Sequence, residues 1–174
     1  QERERLRLAA RDAELQRARS GEDAARRAAT EAQNRAAALQ RDLAELSAQN
    51  TQRGLMVTLK DMLFATGRAD LQPGVRRTIE RLAEVLRQYP ERRLLIEGFA
   101  DSTGGSAMNQ RLSQRRAEAV RAALIRAGVA PQRLEVRAFG EAYPVADNAT
   151  AAGRQQNRRV ELLFSDEQGR LNYR

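Results

Sequence analysis

Asp101 and Arg116 are the two residues whose types and spacing could do chemistry together. Asp101 follows the apolar run 94–99, whose pattern predicts a strand. Arg116 lies in the helix predicted next, with Ser106 as its N-cap and an end near Ala127. Because open α/β sheets hold ligands at the carboxyl ends of their strands, we expect the two charges to face one small cleft.

Arg116 occupies an unusual position for a charged residue. Helical spacing places it near the middle of an apolar face, with Asn109 beside it. That predicted face consists of Met108, Leu112, Ala119, Val120, Ala123 and Ala127. A buried arginine keeps its charge and requires an acceptor. Two interpretations remain: a zwitterionic ligand with its ammonium on Asp101 and its carboxylate on Arg116, or a salt bridge that joins turn to helix.

The composition restricts the chemistry available to the chain. Its 174 residues include no Cys and no His, which excludes disulfides, thiolate catalysis, Ser-His triads and most zinc sites. Catalysis would require paired carboxylates, and Asp101 facing Arg116 would stay ionised. Glu97 and Glu141, the other acids of the cleft motifs, are expected to be ordinary surface residues. The sequence therefore predicts a binding protein without cofactor or metal, rather than an enzyme.

The net charge of +8 does not indicate nucleic-acid binding. Residues 1–50 carry 10 Arg against 9 acidic residues, and the remaining excess is scattered without an aromatic platform for bases. No apolar run is long enough to span a membrane.

Residues 1–50 have a helix-forming composition without Pro. Leu and Ala recur there at spacings of three and four, which predicts a coiled coil and self-association through this segment. A solvated helical linker is the alternative, and Ser20-Gly21 marks a candidate bend or hairpin point.

Residues 54–165 have the pattern of an α/β domain, and residues 166–174 that of a C-terminal tail. Strands are predicted at 55–64, 94–99, 134–140 and 158–164, helices at 75–89 and 106–127, and a loop at 141–154. The resulting order, β-α-β-α-β-β, predicts a two-layer sandwich large enough for its own core.

Five separated motifs in this region together resemble the OmpA-like C-terminal domain of Gram-negative envelope proteins. They are Leu63-Phe64-Ala65-Thr66-Gly67, Gly98-Phe99-Ala100-Asp101-Ser102-Thr103-Gly104, Asn109-Gln110-Arg111-Leu112-Ser113-Gln114-Arg115-Arg116-Ala117, Phe139-Gly140-Glu141 with Pro144, and Asn157-Arg158-Arg159-Val160-Glu161. The helical extension followed by this domain is similar to envelope lipoproteins of the family. Their lipidated cysteine would lie upstream of Gln1, which implies a periplasmic protein attached to the outer membrane.

The resemblance implies non-covalent binding of peptidoglycan through the diaminopimelate residue of its stem peptide. Asp101 and Arg116 would hold the amino and carboxylate groups of that residue, and Asn109 would line the site. The Thr103-Gly104 backbone would donate to a carboxylate. Thr66, Gly67 and Arg158 would complete the rim.

In one motif the chain departs from the family pattern. The family often reads Gly-His-Thr-Asp where this chain has Gly98-Phe99-Ala100-Asp101, so Ala100 is expected to lose a hydrogen bond near the site. The alternative function is an envelope interaction protein that binds or sequesters a periplasmic protein.

Overall fold

The computed structural model describes residues 2–60, 64 and 71–174. In chain order the described elements are α1 (Glu2–Asp42), β1 (Gln49–Thr51), β2 (Gly54–Lys60), α2 (Val75–Gln88), β3 (Leu94–Gly98), α3 (Ser106–Arg126), β4 (Leu134–Ala138), α4 (Ala151–Asn157) and β5 (Arg159–Phe164). Short 3₁₀ turns cover Ala44–Leu46 and Pro131–Arg133. In the described part of the chain, no helix is both long and apolar enough to cross a membrane.

The described strands form one sheet in the order β1-β2-β5-β3-β4. Only β3 and β4 run parallel, while the other neighbours are antiparallel. Both β3 and β5 are buried along their whole length, and each has a neighbouring strand on both sides. The predicted α/β class is confirmed, with one strand and one helix added to the predicted order.

The apolar core lies between one sheet face and the helices α2 and α3. Alternate residues of β3 and β5 point into it, as the two-residue period of a strand requires. They are Leu94, Ile96, Val160, Leu162 and Phe164. Helix α2 contributes the apolar stripe predicted for it, made of Val75, Ile79, Leu82, Ala83, Val85 and Leu86. Each such Leu, Ile or Val stabilises the fold by roughly 1.5–3 kcal/mol through removal of its surface from water.

Helix α3 packs on the sheet through a face that is rotated from the predicted one and shares Arg116 and Val120 with it. Its buried residues are Asn109, Ser113, Arg116, Ala117, Val120 and Leu124, whereas Met108 is 47% exposed. The rotation follows from a close backbone approach, since a Cβ at Gly98 would lie 2.1 Å from the Ser113 carbonyl oxygen. Ser113 tolerates burial because its hydroxyl donates to the Gln110 carbonyl and accepts from the Gly140 N–H.

The predicted helix over residues 1–50 is confirmed only to Asp42. It runs without interruption through Gly21, so the hairpin alternative at Ser20-Gly21 is wrong. Most side chains between residues 2 and 38 are exposed, and this stretch forms a compact unit separate from residues 39–174.

The last turn of α1 belongs to the unit of residues 39–174. Leu39 and Leu43 are 2% and 0% exposed within the core. The Tyr89 hydroxyl donates to Asp42 at 2.8 Å, and burial together with this hydrogen bond raises the pKa of Tyr89 to about 12. Helix α1 therefore ends where its residues enter the core, and the chain turns back at Ser47, which has a left-handed φ of 54°.

One further prediction is corrected between residues 48 and 60. Gln49–Thr51 is an edge strand paired with β2 rather than the end of a coiled coil. The turn between them is closed by the Thr51 hydroxyl, which donates to the Gly54 carbonyl at 2.7 Å and accepts from the Arg53 N–H. Strand β2 ends at Lys60, and most of the predicted continuation to residue 64 lies outside the described residues.

The predicted loop over 141–154 contains the start of helix α4. Thr150 caps this helix by accepting from the Gly153 N–H at 3.0 Å. A Cβ at Gly153 would lie 1.9 Å from the Asp147 carbonyl oxygen. The absence of a side chain at this position therefore permits the tight turn that leads into α4.

Candidate ligand-binding site

Asp101 lies directly beyond β3, at the carboxyl end predicted for it, and is 7% exposed. One carboxylate oxygen accepts from the Thr103 N–H at 2.7 Å. The other accepts from Arg158 Nη1 at 2.6 Å. Burial acts to raise the pKa of Asp101, but the hydrogen bonds from Arg158 and Thr103 outweigh it and hold the pKa below its ordinary value. Asp101 is therefore ionised and oriented at neutral pH.

Arg116 is fully buried, at 0% exposure, which is more than the partial burial we expect from its helix position. Its guanidinium carbon lies 5.2 Å from the centroid of the Phe64 ring, and such a desolvated cation–π contact is worth about 2 kcal/mol or more. The ion pair of Asp101 is with Arg158 and not with Arg116. The alternative of a direct Asp101–Arg116 salt bridge is therefore wrong for this structure.

Asn109 occupies the first turn of α3 and is 2% exposed. Its side-chain amide donates to Glu141 Oε2 at 2.8 Å. Glu141, expected to be an ordinary surface acid, thus forms a hydrogen-bonded pair with the buried Asn109. The signal that could have identified it was its place in the Phe139-Gly140-Glu141 motif, directly after β4.

The loop between β3 and α3 differs in detail from its prediction. The Thr103 N–H is directed to Asp101, so it orients that carboxylate instead of pointing to a ligand. Gly104 has a φ of 89°, which favours glycine. The helix is capped by Gly105 rather than Ser106, since Gly105 keeps an extended backbone and its carbonyl accepts from the Asn109 N–H.

Arg158, which the resemblance implies is a rim residue, lies beside Asp101 at the junction of α4 and β5, and its side chain is 28% exposed. The predicted rim residues Thr66 and Gly67 lie outside the described residues. The structure therefore brings Asp101, Arg158 and the Thr103 backbone into one contact group, with Asn109 and Glu141 as a second.

A buried asparagine that sequence reasoning missed supports this edge of the domain. Asn157, fully buried, accepts from the N–H groups of Val145 and Ala146 and donates to the side chain of Asn148. Asn148 in turn accepts from the Ser102 N–H at 3.2 Å. These bonds tie the loop after β4 to the turn that carries Asp101.

The departure from the family pattern at residues 99 and 100 is accounted for by the fold. Phe99 is fully buried and its ring stacks on Phe139, with centroids 5.4 Å apart. The guanidinium of Arg159 lies 3.9 Å from the same ring centroid. Ala100 is 4% exposed, and its N–H donates to the Gly140 carbonyl at 2.6 Å. Apolar side chains at these positions thus pack into the domain.

The arrangement suits recognition of a small charged ligand. The carboxylate of Asp101 can accept from an ammonium group, and Arg158 can donate to a carboxylate. The low pKa of Asp101 removes it as a proton donor near neutral pH. In the described residues, no group of three or more His, Cys, Asp or Glu is arranged to hold a metal ion.

The described residues form an α/β domain that holds an oriented, ionised aspartate just beyond the carboxyl end of β3. The chain belongs to the OmpA family, whose sequence pattern matches residues 63–158, and the predicted resemblance is confirmed.

The chain is similar to proteins of bacterial cell envelopes. It is 43% identical over 105 residues to YiaD, a probable lipoprotein of Escherichia coli K12, with 60% of this chain and 48% of that protein aligned. The aligned part thus spans about half of that relative. Among solved structures, the peptidoglycan-associated lipoprotein from Burkholderia pseudomallei has a TM-score of 0.58 and 33% identity, covering 62% of this chain and 89% of that chain. The cell wall anchor of the T6SS from Pseudomonas aeruginosa has a TM-score of 0.64 and 30% identity, covering 74% and 96%.

Proposed function

We propose that the domain binds peptidoglycan without covalent attachment. The observation that carries this proposal is the Asp101 carboxylate, held ionised between Arg158 and the Thr103 N–H at the carboxyl end of β3. Family membership and similarity to a peptidoglycan-associated lipoprotein and a cell wall anchor support it.

The ligand group we propose is the diaminopimelate residue of the stem peptide, which carries an ammonium and a carboxylate on one carbon. Its ammonium binds Asp101, and Arg158 moves from Asp101 toward the ligand carboxylate. Arg116 supplies the positive charge behind the site, and Asn109 with Glu141 forms one wall. Each charge-assisted hydrogen bond gained contributes roughly 1.5–3 kcal/mol.

We further propose that the protein anchors the outer membrane to the cell wall from the periplasm. The supporting relative is a probable lipoprotein, and a lipid anchor upstream of residue 1 would complete the connection. Binding of a periplasmic protein is the second candidate function, because most side chains of the 2–38 helix are exposed.

The test is co-sedimentation of the whole chain with purified sacculi of the diaminopimelate type. We expect the protein in the pellet and no muropeptides in the supernatant. Release of muropeptides would indicate an enzyme instead. Failure to sediment would reject the peptidoglycan proposal and favour a protein partner. Sacculi with lysine in place of diaminopimelate test the finer assignment, because lysine lacks the second carboxylate.

A further inference from the structure

The sheet face opposite α2 and α3 carries a pair of buried acids. Glu97 on β3 and Glu161 on β5 are direct cross-strand neighbours and are 0% and 3% exposed. The expectation that Glu97 is an ordinary surface residue is therefore wrong. Like charges in this arrangement destabilise a sheet unless cations compensate them.

Three arginines compensate the pair in different ways. Arg53 donates to both oxygens of Glu97 at 2.7 and 2.8 Å, and Arg159 donates to Glu161 Oε1 at 2.7 Å. Arg174 contacts both acids, through Glu97 Oε2 at 3.2 Å and through Glu161 Oε2. Arg53 and Arg159 belong to the turn and strands of the sheet, whereas Arg174 comes from the tail.

Two aromatic rings complete the surroundings of the Arg174 guanidinium. Its central carbon lies 5.1 Å from the centroid of Phe99 and 4.9 Å from that of Tyr143. Phe139 stacks on Phe99 and meets Tyr143 edge-on, with the centroids of the latter pair 5.3 Å apart. Phe139 thus holds both rings in place. Two carboxylates and two ring faces suit a planar, weakly hydrated guanidinium better than an ammonium.

The segment that delivers Arg174, residues 171–174, is held mainly by polar contacts. The Asn172 carbonyl accepts from Arg53 at 3.0 and 3.2 Å, and the Tyr173 hydroxyl donates to Glu135 at 2.8 Å. The guanidinium of Arg137 lies 4.0 Å from the Tyr173 ring centroid. All four residues are exposed or half-buried. The segment can therefore leave without removing a residue from the apolar core.

We propose that Glu97, Glu161, Phe99 and Tyr143 form a guanidinium-binding site, occupied here by the chain's own Arg174. An arginine on an extended segment of a partner protein takes this site when residues 171–174 are displaced. Residues 171–174 then compete with the partner's arginine and raise the partner concentration that binding requires. This site shares no residue with the Asp101 cleft, so it is independent of the proposed peptidoglycan function.

The test uses the whole chain and the Arg174→Ala variant, with N-acetyl-L-arginine amide and N-acetyl-L-lysine amide as probes. We expect NMR shifts of the Phe99 and Tyr143 ring protons when the arginine amide is added to Arg174→Ala. The parent should require a concentration about tenfold higher, because its own arginine competes, and the lysine amide should bind about tenfold more weakly than the arginine amide.

Two further variants keep the test decisive. Arg170→Ala changes an exposed tail arginine that pairs with Asp166, and it should behave like the parent. Tyr143→Ala in the Arg174→Ala background should abolish the response, and because Tyr143 is 49% exposed the fold should survive. Equal responses from the parent and Arg174→Ala, equal responses to the two amides, or no response at all would overturn the proposal.

Discussion

At the residue scale, the sequence indicated which charged residues are candidates for the site, but not which of them pair with each other. The helical period of the sequence indicated that Arg116 is partly buried. The pairing of Asp101 with Arg158, however, joins residues 57 positions apart, and no local pattern encodes such a contact. Glu141 was undervalued for the same reason, because its partner Asn109 lies on another element.

Removal of either proposed ligand contact should weaken retention on sacculi. We expect Asp101→Ala and Arg158→Ala each to weaken binding by about one to two decades, since one charged hydrogen bond is worth roughly 1.5–3 kcal/mol. Arg158→Lys should not restore binding fully, because lysine lacks the planar two-donor fork of arginine. Binding isotherms on sacculi at constant salt measure the effect.

Arg115→Ala is the control, because it removes an exposed arginine of α3 that is not a proposed ligand contact. It should bind as the parent does. Parent-like affinity in both Asp101→Ala and Arg158→Ala, with circular dichroism showing the fold intact, would reject the assignment of the site. Arg116→Ala is less informative, because it also empties a fully buried volume.

Retention should also depend on pH through Asp101. The pKa of Asp101 is below its ordinary value in the folded protein. The ionised form is therefore favoured by folding, and its stabilising contribution is present above the ordinary pKa and lost as pH falls through the lowered one. We expect retention to be constant from about pH 8 to 5 and to decline only below about pH 4. In the Asp101→Asn variant, this decline of retention at low pH should be absent. If the decline persists unchanged in the variant, another titrating group causes it.

At the element scale, composition and period predicted the helices well and their limits poorly. The Leu and Ala spacing of α1 continues past Asp42, so nothing in the pattern distinguishes Leu8 from Leu43. The fold distinguishes them, because Leu43 is fully buried while Leu8 is 59% exposed. Tertiary burial, together with the Thr51–Gly54 turn, ended the helix where local propensity would have extended it.

This difference predicts unequal effects of the same substitution along α1. Leu39→Ala or Leu43→Ala should lower the free energy of unfolding of the domain by about 2–5 kcal/mol, because each empties a core position. Leu8→Ala and Leu15→Ala, at 59% and 51% exposure, should change it by less than about 0.5 kcal/mol. Urea unfolding followed by circular dichroism compares the four variants. Similar losses at all four positions would contradict the division of the chain at residue 39.

At the scale of the whole molecule, several arginines pair with buried carboxylates inside the domain. Arg53, Arg159 and Arg174 neutralise Glu97 and Glu161, and Arg158 pairs with Asp101. These four arginines meet three carboxylates and so account for only one of the eight excess positive charges. The remaining excess is scattered along the sequence without an aromatic platform for bases, and it does not mark a nucleic-acid surface. We expect no binding to a 20-bp DNA duplex at micromolar protein and physiological salt, measured by fluorescence anisotropy. Submicromolar affinity would contradict this.

Self-association through residues 2–38 remains a prediction of the sequence. The seam of this helix is largely alanine, including Ala25, Ala29 and Ala32, and alanine buries little surface. Association should therefore be weak and dependent on concentration. Each Ala→Leu change in the seam adds three carbons, worth about 0.8 kcal/mol apiece when buried. Ala25→Leu with Ala29→Leu should thus strengthen dimerisation by at least about tenfold, whereas Ala24→Leu, outside the seam, should not. Sedimentation equilibrium of the whole chain measures the constants. If the double variant and the parent are both monomers at all concentrations, the helix is a solvated linker.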